Sequence, residues 1–359
     1  MKNLVRILVW TLVALVMQQS IFLYIENVYL AADVKIEAEK VEEKETPKVK
    51  NLNEIDIKDG IGDVSLSSDG RFVAFLENNK LKVRDSNDDS EKEFQSENNG
   101  DVVFYKWLTN ENSMIVIQKV QKNGEFYFEP VSFNAKKGET RQLADFNLNE
   151  VRINIKNKTD KIDNVVFSTA THSLYIKVQK KNGKSDLFYA NVMNQLAEVR
   201  SNKDIGNIIV PTTNANAVME MGENATILNS SGNIEIPNVQ ITKVLGTDIN
   251  DNVYFGEEVN DKITKIYYTV LNDKKLQWHT IALSKPVDKE DIIVDYSGKV
   301  YINDKLESSV LEITSKRTIK YEGNLVQSYS KGIISRDENK LMKNEIGENR
   351  ISVKGGEMK

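Results

Sequence analysis

The chain of 359 residues contains no cysteine. That absence excludes disulfides, thiol nucleophiles and thiolate metal sites together. It also removes any redox constraint, so it does not fix the compartment. Histidine is nearly missing: His172 and His279 are the whole supply. Two distant histidines make no zinc motif and leave little for acid–base chemistry. A basic surplus is missing too, with a net charge of −5 and a pI near 5.5. Nucleic-acid partners want a basic surface and are not expected. No G-x-S-x-G marks a hydrolase nucleophile, and no P-loop or G-x-G-x-x-G marks a nucleotide site. Proline is scarce, at five residues, and no long amphipathic helix is legible beyond residue 50.

One long apolar run is present, from Leu4 to Ile25, interrupted by the uncharged Gln18, Gln19 and Ser20. About 20 residues suffice to cross a hydrocarbon core. Lys2 and Arg6 precede the run, and acidic or neutral residues follow it up to Lys35. The positive-inside rule then places the N-terminus in the cytoplasm and the body outside. We expect residues 1–30 to form a cytoplasmic tip and a single transmembrane helix. A secretory signal cleaved near Ala31-Ala32 is the competing reading, although the run exceeds an ordinary signal core. Residues 31–50 are dense in Glu and Lys and lack aromatics, so they read as a flexible stalk.

Residues 51–359 alternate short apolar runs with turn signals, which predicts an all-β body. The clearest unit is Ser67-Ser68-Asp69-Gly70-Arg71-Phe72-Val73-Ala74-Phe75. Asp69 can bond its own backbone ahead, and Gly70 tolerates positive φ. The strand after it is almost wholly apolar, as a strand buried on both faces should be. Asn78-Asn79 marks the next turn. Related turns fall at Asp69, Glu111, Thr171, Asn216, Asp251, Ser297 and Asp337, a mean spacing of roughly 45 residues. That is the period of a four-stranded propeller blade. The interval from Glu111 to Thr171 requires an insertion. Hairpin tips are read at Lys122-Asn123-Gly124, at Lys181 to Lys184, and at Asn272 to Lys275. Leu52 to Ile57 could complete the last blade beside Arg350 to Val353, closing the ring. The expected fold is a six- or seven-bladed β-propeller after the N-terminal helix.

Ser67 to Phe75 resembles the S-P-D-G-x-x-[IL]-A-[FY] signature of TolB-like (PD40, WD40-like) β-propellers, with Ser68 where the family prefers Pro. Asp295-Tyr296-Ser297-Gly298-Lys299-Val300-Tyr301 is similar to the D-x-x-G-x-[IV]-[YF] pattern of other propellers. The resemblance implies a domain that binds proteins, peptides or sugars, or that serves as a lid beside a separate catalytic domain.

No residue is singled out as catalytic, cofactor-binding or metal-ligating, and no cofactor is expected. Asp85-Ser86-Asn87-Asp88-Asp89 begins like a calcium loop, but Ser90 and Ser96 stand where Gly and Glu are wanted. Asp248, Asn250, Asp251 and Asn252 read as turn formers. Phe104, Tyr105 and Trp107, then Phe126 to Phe128, then Tyr267 and Tyr268, are aromatic clusters expected mainly in cores. Any of them left exposed would suit a partner patch. The function expected is a membrane-anchored, extracytoplasmic, non-catalytic module binding an envelope or surface protein. A carbohydrate-active enzyme with paired carboxylates in a propeller cleft is the alternative. A sensory ectodomain relying on a membrane partner is a third reading.

Overall fold

The computed structural model describes residues 2–24, 54–109, 111–214, 216–228, 232–271 and 276–345. The expected stalk, the Ala31-Ala32 cleavage site, the tip at Asn272 to Lys275 and the Arg350 to Val353 strand lie outside them.

Helix α1 spans Lys2–Tyr24. Its described side chains, from Val9 to Phe22, are exposed throughout. Among the described residues, no helix is long and apolar enough to cross a membrane. The expected span is therefore not found there.

The body is built from seven antiparallel sheets. Blade 1 holds the strands Val64–Leu66, Phe72–Glu77, Lys80–Asp85 and Glu91–Glu93, in that spatial order. Blade 2 starts at Asp101–Trp107 and blade 3 at Lys161–Ser168. Blades 4, 5 and 6 start at Ile208–Ile209, Thr242–Thr247 and Ile292–Val294, and blade 7 at Asn324–Tyr329. Each blade is a meander whose first strand is innermost. Innermost strands of neighbouring blades come together around a central channel. The body is a seven-bladed β-propeller of the four-stranded WD40-like type.

The ring closes on its own first strand. Glu54–Asp56 pairs antiparallel with Lys340–Met342 and becomes the outermost strand of blade 7. Among the described residues the N-terminal strand closes the ring on Lys340–Glu345; Arg350 to Val353 lie outside them. Pairing the two ends removes the free edges that an open sheet would present. A second link lies nearer the axis. Gln327 of blade 7 accepts from the Leu66 N–H at 2.9 Å and donates to the Leu66 carbonyl at 2.9 Å, so one amide continues the ladder into blade 1.

There is no single core. Among the described residues the apolar side chains form seven clusters, one between each pair of adjacent blades. Strand alternation creates this division. Phe72 and Ala74 face blade 2, whereas Val73 and Phe75 face blade 7. The apolar strand read from Phe72 is buried on both sides for this reason, with Leu76 the exception at 36 % exposure.

The signature turn also serves packing. Asp69 accepts from Arg71 N at 3.0 Å and from Ser67 Oγ at 2.5 Å. Gly70 has φ +71°, and a Cβ there would lie 2.9 Å from the Tyr329 ring of blade 7. Of the seven turn markers, six sit between the first and second strands of their blades. Asp337 does not: it precedes the third strand of blade 7, Lys340–Glu345. The corresponding turn of that blade is the short Ser330-Lys331.

Two blades depart from the pattern. Among the described residues blade 4 has three strands, and its fourth position holds an irregular segment whose Ile234 and Ile236 are buried. Pro237 follows there and cannot donate to a ladder. In blade 2 the outer edge is split into Glu139–Gln142 and Ile153–Asn154, both pairing with Glu125–Asn134. The residues between, 143–152, are the insertion expected from the spacing.

Candidate interaction surface and central channel

The insertion of blade 2 and the turn after Ala190 in blade 3 are built alike. In the first, Asp145 Oδ1 accepts from Asn147 N at 2.8 Å and Asn149 N at 2.9 Å. In the second, Asn191 Oδ1 accepts from Met193 N at 2.9 Å and Gln195 N at 3.0 Å. The donors around Asp145, Asn149 foremost, hold its carboxyl below the usual carboxylate range. Each loop ends on a left-handed residue, Leu148 at φ +63° and Asn194 at φ +57°. Asn194 Nδ2 donates to the Ala144 carbonyl at 2.8 Å and ties the loops together.

These two fixed loops display apolar side chains to solvent. Phe146 is 81 % exposed, Leu148 84 %, Val192 61 % and Met193 46 %. Asparagine tolerates the left-handed region; leucine gains nothing from it and costs roughly 1–3 kcal/mol there. A strained leucine with almost no contacts is poor fold economy, and exposed apolar groups clustered on a rigid frame mark an interaction surface. Replacing Leu148 by Asn is therefore expected to stabilise the body by about 1 kcal/mol. An unchanged or lowered melting temperature would count against strain at this position.

The central channel carries a different chemistry. A cavity of about 280 Å³ is lined from blades 2 to 5, with Lys106, Asn164, Asn207 and Thr247 among its polar residues and Phe167, Ile209 and Leu245 among its apolar ones. A second, of about 200 Å³, shares Thr109, Phe167, Val210 and Thr247 with it and reaches Tyr296 of blade 6. Neither is lined by Asp or Glu. Lys106 Nζ donates to Asn164 Oδ1 at 3.0 Å. Lys106 is exposed and is one of the residues that line the cavity.

The aromatic clusters read from the sequence pack rather than project. Trp107 stacks on Phe72 with ring centres 6.4 Å apart and donates Nε1–H to the Ser65 carbonyl. Tyr105 donates to the Ala74 carbonyl at 3.2 Å. Phe104 packs into the cluster between blades 2 and 3, Phe126 and Tyr127 are half-buried, and Phe128 is buried. Tyr268 lies between Tyr254 and His279 in a three-ring stack across blade 5, and Tyr267 meets Trp278 edge-on. His172 sits on the exposed turn of blade 3, edge-on to Phe167.

The calcium-like loop has its carboxylates engaged. Asp85 holds Arg71 at 2.6 Å, Asp88 accepts from Ser90 N, and Asp89 pairs with Arg84. Asp248 accepts from Asn250 N, Asn252 N and the Tyr254 hydroxyl, and Asp251 bridges to Thr212 N of blade 4. Both build turns. Among the described residues no group of three or more His, Asp or Glu could hold a metal ion.

No family model matches the sequence, and no curated protein matches it. Solved structures resemble the fold at very low identity. The β-propeller domain of Cps50 (Swd1) from Myceliophteria thermophila is 8 % identical with a TM-score of 0.47, covering 81 % of this chain and 98 % of that one. A chain of the mitotic checkpoint complex is 10 % identical with a TM-score of 0.46, covering 80 % and 93 %. The acylaminoacyl peptidase of Pyrococcus horikoshii is 11 % identical with a TM-score of 0.39, covering 68 % of this chain and 44 % of that one. The seven sheets and their closure define the class on their own.

Proposed function

We propose that this chain is a membrane-anchored, extracytoplasmic propeller of the TolB-like kind, without catalysis of its own, that binds an envelope or surface protein. The observation that carries the binding role is the patch of Phe146, Leu148, Val192 and Met193 on its two braced loops. Such convex tips suit a partner with an apolar recess. The Ser67 to Phe75 signature supports the TolB-like affinity. The carbohydrate-active alternative needs a carboxylate pair in a propeller cleft, and among the described residues neither channel cavity is lined by Asp or Glu.

Anchoring rests on the helix and its flanks. Its 23 residues reach about 34 Å at 1.5 Å per residue, against a core of about 30 Å. The Ser20 hydroxyl donates to the Val16 carbonyl at 2.8 Å, which satisfies it within the helix, as lipid requires. Lys2 and Arg6 lie on the side that the positive-inside rule leaves in the cytoplasm.

The test is capture from cross-linked envelopes with the full-length chain as bait. We expect one protein to be enriched by the wild type and depleted at least about tenfold with Phe146→Ser, the loss of a central anchor. Equal recovery with both baits would refute the patch as the docking surface. Alkaline extraction of the same membranes should leave the chain in the pellet; its release would favour the cleaved signal.

A further inference from the structure

The recess that the braced tips call for is present on this chain itself. The outermost strand of blade 5, His279–Val287, bulges away from its partner: Leu283 to Pro286 stand opposite the single Thr264. Bulges of this kind re-aim side chains. Leu283 lines the crevice between blades 5 and 6, where Ile302, Leu311 and Ile313 of blade 6 complete an apolar cavity of about 470 Å³. A cavity of this size can bury a whole small ligand, so the side chains of Phe146 and Leu148 fit it together. Charge matches as well. Asp145 stands beside the tips. At the cavity, Lys285 pairs with Asp304 at 2.9 Å, which leaves Lys316 of the lining without an acid among the described residues. The tips adjoin the outermost strands of blades 2 and 3, and the cavity lies three blades further round the seven. No copy can therefore reach its own cavity, and a copy whose tips are engaged still offers its cavity to another.

We propose that this chain docks on a second copy of itself, head to tail, with Phe146 and Leu148 seated on Leu283, Leu311 and Ile313, and Asp145 beside Lys316. The two surfaces differ and lie apart, so the contact is heterologous and repeats from copy to copy instead of closing a two-fold dimer. The inference rests on the reading of the patch as a docking surface and names the partner it takes.

The chain has no cysteine, so engineered thiols report alone. The experiment places Asn147→Cys, beside the tips, and Thr318→Cys, in the cavity lining, in one full-length chain in lipid vesicles and adds a mild oxidant. We expect a ladder of dimers, trimers and longer species on a non-reducing gel, with mass spectrometry locating the disulfide between positions 147 and 318. Chains carrying either substitution alone should stay monomeric, because like surfaces do not meet. Phe146→Ser and Leu311→Lys should each cut the ladder at least about tenfold, as the loss of a central anchor does. Should Leu311→Lys fail to fold, Lys316→Glu changes an exposed side chain, sets like charge against Asp145 and should weaken the ladder instead. Cross-linking of the single-cysteine chains as fast as the double variant, or a ladder unmoved by Phe146→Ser, overturns the proposal. So does the absence of a ladder. If capture of another protein is then still depleted by Phe146→Ser, the patch stands and only the second copy fails; if that capture fails too, both readings fall.

Discussion

Replacing Arg152 by methionine should destabilise the propeller by about 3–5 kcal/mol, because it strands a buried carboxylate. Glu129 is 1 % exposed and sits in the third strand of blade 2. Its Oε2 accepts from Arg152 Nε at 2.8 Å. Its Oε1 accepts from Asn98 at 2.7 Å, Gln142 at 2.9 Å and Gln118 at 3.3 Å. Every other donor is neutral, so Arg152 alone offsets the charge. Removing one partner costs far more than the pair contributes, since the remaining group must stay unpaired or take up a proton. The melting temperature should fall on the order of 10 °C. The double variant Glu129→Gln with Arg152→Met should recover part of the loss, because the charge is gone and the amide oxygen can still accept from Asn98, Gln142 and Gln118. A single variant melting within a degree or two of wild type would show that the other donors carry the carboxylate.

Replacing Ile55 by Asp should cost at least about 4 kcal/mol and remove the single cooperative transition of the body. Ile55 is 3 % exposed and packs with Ile57, Val73, Phe75 and Leu341 between blades 7 and 1. It pairs with Leu341 in the closing strand. An aspartate there loses the packing, buries an unmatched charge and opens the ring at one point. Two ladder edges then face solvent. Glu54→Lys, one residue earlier on the exposed side, is the control and should stay within about 0.5 kcal/mol. Denaturant unfolding followed by two probes would read both. A normal transition for Ile55→Asp would show that Gln327 and the inner strands hold the ring shut without the outer strand.

The repeat was legible because each blade needs a strand buried on both faces, and that need writes unbroken apolar runs such as Phe72 to Phe75 into the chain. Turn chemistry then set the period. It misplaced one marker for a physical reason. Blade 7 joins its first two strands through Ser330-Lys331, which carries no Asp or Gly, while Asp337-Glu338-Asn339 in the next turn imitates the marker. The braced loops escaped the reading because Asp145-Phe146-Asn147-Leu148-Asn149 looks like ordinary turn residues with apolar interruptions. The signal was there in the pairing of Asp145 with Asn191, each leading a five-residue loop. Only the backbone shows that Leu148 occupies the left-handed position which Asn194 fills in blade 3. The aromatic clusters were noticed for bulk, and bulk is what cores select. Lys106 was invisible because alternation separates the two faces of a strand but cannot say which face meets a channel.

The pairing of Ile55 with Leu341 also sets a schedule for biosynthesis. The first strand of the body to leave the ribosome has no partner until the chain is nearly complete. At roughly 5–20 residues per second that wait is on the order of tens of seconds. Each blade can form its meander as it emerges, yet the wedge between blades 7 and 1 stays open throughout, with Ile55, Val73 and Phe75 unsheltered. Truncation within blade 7 would leave six finished blades and one sticky gap, a product destined for proteases or aggregation rather than for a smaller working ring.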